Sequence, residues 1–171
     1  MSNLLRATLK SYLSADRLIA SFPHSVALLG LRIALAIPFW RSGMTKWDGF
    51  LNLSSGTRYL FQEEFKLHIL GQTFAYPAPL ITAFLAGVGE VVLPVLLILG
   101  LFTRFAGLGI LAMTIIIQLT IPDGWLSFHL PWAVKALSLM AFGGGKLSLD
   151  AVIIRLGMAS PDRAATARAS S

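Results

Sequence analysis

The stretch FLAGVGEVVLPVLLILGLF at 84–102 decides how the rest of the chain is read. It is apolar from end to end except for Glu90 near its centre. A helix needs about 20 such residues to cross a bilayer. An isolated carboxylate is costly at that depth, so Glu90 must be protonated or paired with a cation.

The composition agrees with a lipid environment. The 171 residues are 56% hydrophobic and only 13% charged, against about 25% charged in ordinary soluble domains. Mean hydropathy is +0.73. Besides 78–100, three more runs are long enough or nearly so, at 25–44, 103–121 and 126–142. Lipid offers no water to an open backbone, so all four are read as helices. The expected fold is all-α, a four-transmembrane-helix bundle.

The connection at 45–77 is too long for a simple turn. Its TRYLFQEEFKLHIL segment mixes Tyr59, Leu60, Phe61, Phe65, Leu67 and Ile69 with charges, which predicts one or two short interfacial helices between helices 1 and 2. After the fourth run, GGGKLSLDAVIIRLGM begins with glycines that stop a helix. Asp150 is then expected to cap a short C-terminal amphipathic helix over 151–158. The organisation is thus a cytoplasmic N-terminal arm at 1–24, a membrane domain at 25–158 and a disordered tail at 159–171, which is poor in apolar residues.

Orientation follows from the basic residues outside the helices. Arg6, Lys10, Arg17, Arg104, Lys146, Arg155, Arg163 and Arg168 fall on one side, and only Lys46, Arg58 and Lys66 on the other. Both termini are therefore expected in the cytoplasm. The first apolar run ends in no small-residue cleavage site, so it reads as a span and not as a removable signal. The formal charge of +6 fits an anionic lipid surface better than nucleic acid.

The absence of cysteine excludes thiol and disulfide chemistry by the chain's own side chains. His24, His68 and His129 lie in separate segments, so no metal site is expected. GGGK follows a helix and lacks the Ser or Thr of a phosphate loop. Any redox role would therefore need a quinone or a partner protein to carry the electrons.

The cations available to Glu90 are Arg32 and Arg41 in the first helix and Lys135 in the fourth. Both arginines are long enough to approach its depth, and the sequence does not choose between them. The expectation is a pair with one of them, at the floor of an outward-facing polar pocket. Arg41, Lys46, Gln118, His129, Trp132 and Lys135 all fall toward the outer helix ends and would line that pocket. It could hydrogen-bond a quinone carbonyl or hold a small anion, with Trp132 stacked on a ring and Glu90 relaying a proton. Plainer readings stand beside this one. Lys46 is more often a snorkelling anchor than a ligand, and His129 more often an interfacial histidine than a catalytic base; Gln118 also reads as a bridge between helices, and Glu90 as half of a packing ion pair.

In order along the chain stand LLGLRIAL, WRSGMTKW, GVGEVVLPVLLILGLFTR, FHLPWAVKAL and GGGKLSLD. This set resembles the DoxX family of small bacterial membrane proteins, over about 27–151. The resemblance implies a four-helix membrane bundle in the bacterial cell (inner) membrane. It matches the family's first-helix arginine to Arg32, its Gly-x-x-Lys to Gly43 and Lys46, its glutamate to Glu90, its FTR arginine to Arg104 and its final aspartate to Asp150. The family's Gly-Pro-Gly is here Gly143-Gly144-Gly145, which implies a looser turn. Arg104, Gly143 and Asp150 are expected to be structural. The implied role is an accessory or quinone-interacting subunit of a membrane oxidoreductase system. The alternative is a scaffold or assembly factor with no chemistry of its own, and a small-molecule transporter ranks third. No tightly bound cofactor is expected beyond a quinone. The bilayer, an oxidoreductase subunit and a second copy of the chain are the expected partners.

Overall fold

The computed structural model describes residues 3–158. Helix α1 (Asn3–Ala20) leads through a short break at Pro23 into α2 (His24–Met44). The next helices are the short α3 (Ser55–Tyr59), α4 (Pro79–Leu99), α5 (Thr103–Thr120), α6 (Leu130–Phe142) and α7 (Leu149–Met158). α2 packs on α4, α4 on α5, α5 on α6, and α6 back on α2. Four helices therefore close a ring around one core. Leu35, Ala36, Phe39, Leu97, Ala106, Ile110, Ala136 and Leu139 fill it, drawn from all four. The outward faces are apolar too, with Ile33, Ile37, Leu85, Val92, Phe105, Ile115 and Leu137 exposed. A bundle that is apolar inside and out is built for lipid.

Three of these helices, α2, α4 and α5, are long and apolar enough to cross a membrane. The fourth is shorter than the sequence suggests. α6 has 13 residues, about 20 Å at 1.5 Å per residue. The rest of the 126–142 run is wound more widely, as a π-helical turn at Trp125–His129 that leads directly into α6.

The long connection departs from the all-α expectation. Ser54 caps α3 by accepting the Thr57 N–H at 3.2 Å, and α3 continues into a π-helical turn at Leu60–Glu64. The chain then forms an antiparallel hairpin, β1 (Lys66–Ile69) against β2 (Gln72–Ala75), with Ile69 opposite Gln72. The two-residue turn is Leu70-Gly71, and both residues have positive φ. That is the turn which suits the twist of a hairpin, but leucine is seldom found in such a backbone, so the sequence carried little sign of it. Leu53, Phe61, Tyr76 and Ala83 form a second small core beneath the connection. The tail at 159–171 lies outside the described residues.

Candidate functional site: three polar clusters in the bundle

The α4–α5 end of the bundle gathers Arg32, Arg104, Gly143 and Asp150. Arg32 is fully buried. Its guanidinium donates to the carbonyl of Leu97 at 3.4 Å and, through Nη2, to that of Leu147. The Leu97 carbonyl lies in the last turn of α4, where it also accepts the Gly100 N–H at 3.1 Å. Gly100 ends α4 with φ +67°, and a Cβ there would stand 1.9 Å from Arg32 Nη1, so only glycine lets the arginine through.

Asp150 corrects a sequence expectation. Its carboxylate does not cap its own helix. It accepts the N–H of Phe102 at 2.7 Å and of Thr103 at 2.9 Å, and so caps α5. Its own N–H donates to the Gly100 carbonyl at 2.9 Å. The cap of α7 is Ser148, whose Oγ accepts the Ala151 N–H at 3.2 Å. Both residues of SLD are good caps, and the sequence alone gave no way to divide the roles. Arg104 donates to the carbonyls of Met140 and Ala141 at the end of α6. Gly143 terminates that helix with φ +73°, as the glycine run suggested.

Glu90 has a different partner from the expected arginine. Lys46 Nζ donates to Glu90 Oε2 at 2.6 Å, and also to Ser42 Oγ at 3.1 Å. The two charged side chains are only 13% and 6% exposed. The reason is stagger. Gly43, at the last turn of α2, packs on the middle of α4. A Cβ on Gly43 would stand 2.8 Å from the Glu90 carbonyl oxygen. The residue just beyond α2 is thereby brought level with Glu90, while Arg32 lies level with Leu97. Lys46 is held in place by its surroundings. Its carbonyl accepts the Ser54 N–H at 2.9 Å, and neighbouring Trp47 lies over Gly87 of α4 and edge-on to Phe84.

The other members of the expected outer pocket form a separate group. Gln118 accepts from His129 Nδ1 at 2.6 Å and donates to the Pro122 carbonyl at 3.0 Å. The amide oxygen only accepts, so Nδ1 carries a proton. His129 is buried and tilts against Trp132 with ring centroids 5.4 Å apart, and Trp132 reaches Phe39 of α2 at 5.0 Å. Gln118, His129 and Trp132 thus tie the α5–α6 connection to the core. No hydrogen bond or ion pair joins this group to Lys46 and Glu90 among the described residues.

Arg41 and Lys135 belong to neither group, and neither has an ion-pair or hydrogen-bond partner among the described residues. Arg41 lines an apolar groove of about 220 Å³ with Ile37, Trp40, Val95, Ile98 and Leu99, between α2 and α4. Contacts the sequence reading missed pin the connection to α5. Tyr76 Oη lies 2.5 Å from Thr120 Oγ1, and His68 Nδ1 lies 3.1 Å from the Leu119 carbonyl. No pattern in the sequence pairs these residues. Among the described residues no three His, Asp or Glu side chains gather as metal ligands.

Apolar spanning helices packed in a ring, with their charged groups turned inward or to the helix ends, define a small helical membrane protein. The chain belongs to the DoxX family, whose model matches residues 27–123. It is also similar to an uncharacterized protein of Haemophilus influenzae, 33% identical over 147 residues, covering 75% of this chain and 83% of that one. No solved structure matches it.

Proposed function

We propose that this protein is an accessory subunit of a bacterial cell membrane, with four crossings and both termini in the cytoplasm, that holds or helps assemble a partner of a membrane oxidoreductase system. The fourth crossing is α6 together with the π-helical turn before it. The observation that carries this reading is the bonding of the charged residues. Glu90 binds Lys46, Arg32 and Arg104 bind helix-end carbonyls, and Asp150 binds the N-terminus of α5. Groups engaged in this way stabilise the fold and are poorly placed to meet a substrate. The partner would dock on the connection at 45–78, where Phe50 is 94% and Leu70 is 99% exposed.

A second reading, a quinone-interacting subunit, has one observation in its favour. The α2–α4 groove offers an apolar bed walled by the Trp40 ring and the hydrocarbon stem of Arg41. That bed could receive an isoprenoid tail. Mass spectrometry of organic extracts from gently purified wild type, Arg41→Ala and Glu90→Gln proteins separates the two readings. No quinone enriched over bulk lipid is the outcome expected for a holding subunit. Enrichment lost in Arg41→Ala would install the quinone reading at the groove. Enrichment lost only in Glu90→Gln would return the chemistry to the buried acid.

A further inference from the structure

Helix α1 stands outside the ring, and every described side chain from Leu5 to His24 is exposed. It also precedes the part of the chain that matches the family. An isolated 18-residue helix is marginal in water, and this one exposes Leu5, Leu9, Tyr12, Leu13, Leu18 and Ile19. At about 100° per residue, Leu5, Leu9, Tyr12 and Ile19 fall within a sector of about 80°, with Leu13 at its edge. Arg6, Lys10 and Arg17 fall together in a strip of about 40° directly beside Leu13. Ser11 and Ser14 lie on the opposite side, with Leu18 alone among the large apolar side chains between them. An apolar face flanked by a basic strip is the pattern of a helix lying in the plane of a charged membrane surface.

The join to α2 puts α1 at that surface. Ser21 and Phe22 close the last turn of α1 by donating to Arg17 and Ile19 carbonyls, both at 3.0 Å. Pro23 then takes extended backbone, φ −65° and ψ 114°, before α2 begins at His24. Three residues thus separate α1 from the start of a helix long enough to span. Asp16 falls within the apolar sector and limits the depth, since a carboxylate tolerates the headgroup layer but not hydrocarbon.

We infer that α1 is an in-plane anchor on the surface of anionic phospholipid, with Arg6, Lys10 and Arg17 meeting lipid phosphates and the Leu5–Leu9–Tyr12–Ile19 face set at the acyl boundary. The inference does not depend on which function the bundle serves.

The natural chain has no cysteine, so single labels can be placed in the full-length protein without further changes. Leu9→Cys, Tyr12→Cys, Ser11→Cys and Ser14→Cys are spin-labelled and reconstituted in phosphatidylcholine vesicles with or without phosphatidylglycerol. All four positions are exposed and apart from the core, so folding is not at issue. In the anionic vesicles, labels at 9 and 12 should favour dissolved oxygen over a water-soluble nickel chelate, and labels at 11 and 14 should show the reverse. The contrast should shrink several-fold without phosphatidylglycerol, and in an Arg6→Gln, Lys10→Gln, Arg17→Gln background. Four equally water-exposed labels in anionic vesicles would overturn the inference. A contrast of the same size in both lipids would overturn the recognition of anionic lipid. Spin–spin broadening between copies at labels 9 and 12, lost on dilution with unlabelled protein, would overturn the inference and assign the face to a second copy of the chain.

Discussion

The two ends of the bundle are secured by different chemistry. Where α4 turns into α5, charged side chains bond to backbone. Arg32 and Arg104 take helix-end carbonyls, and Asp150 takes the first N–H groups of α5. Where α2 enters the long connection, one ion pair between side chains, Lys46 and Glu90, joins the chain to the middle of α4. Backbone-directed bonds satisfy groups that every helix end leaves open, so they can stabilise any bundle with a tight turn there. A buried ion pair satisfies only its own two members, and removing one leaves the other charge stranded. The first end is robust piece by piece, whereas the second depends on both residues being present.

That contrast orders the effects of substitution. Glu90→Ala should be the most damaging, lowering stability by about 3 kcal/mol as Lys46 is left buried without its partner. Removing both charges, as Lys46→Met with Glu90→Leu, should recover most of the loss in denaturation midpoints measured in the same detergent. Asp150→Ala comes next, at about 2 kcal/mol, because two α5 N–H groups lose their acceptor. Ser148→Ala, which uncaps only α7, should fall at about 1 kcal/mol in the same assay. Arg41→Gln should change stability by no more than about 0.5 kcal/mol, since its side chain bonds to nothing among the described residues. An Asp150→Ala loss larger than that of Glu90→Ala would reverse the comparison.

Much of this was legible in the sequence, but unevenly. Hydropathy placed α2, α4 and α5 to within a residue or two, because burial in lipid demands long uninterrupted apolar runs. It could not show that the run at 126–142 begins as a π-helical turn, since both windings use the same residue types. The hairpin at Lys66–Ala75 hid behind a leucine in its turn. Among the polar residues, identity was easier to read than partnership. Glu90 stood out as a charge that must be neutralised, but Lys46 became its partner through the stagger of α2 against α4. Gly43 and Gly87 permit that close contact, and stagger leaves no mark in the pattern of either helix. Asp150 was recognised as a cap, yet the helix it caps lies 47 positions earlier at Thr103. Local spacing cannot encode such a contact.

The pairing of Lys46 with Glu90 is the centre of this account, and exchanging the two charges tests it most directly. Lys46→Glu and Glu90→Lys should each destabilise the protein severely, because each places two like charges in one buried site. Combined, they restore an opposite-charge pair at the same position. We expect the exchanged protein to unfold within about 1.5 kcal/mol of the wild type, well above either single variant. An exchanged protein no more stable than the worse single variant would contradict the pairing, and would leave Glu90 to be explained by a ligand or a proton.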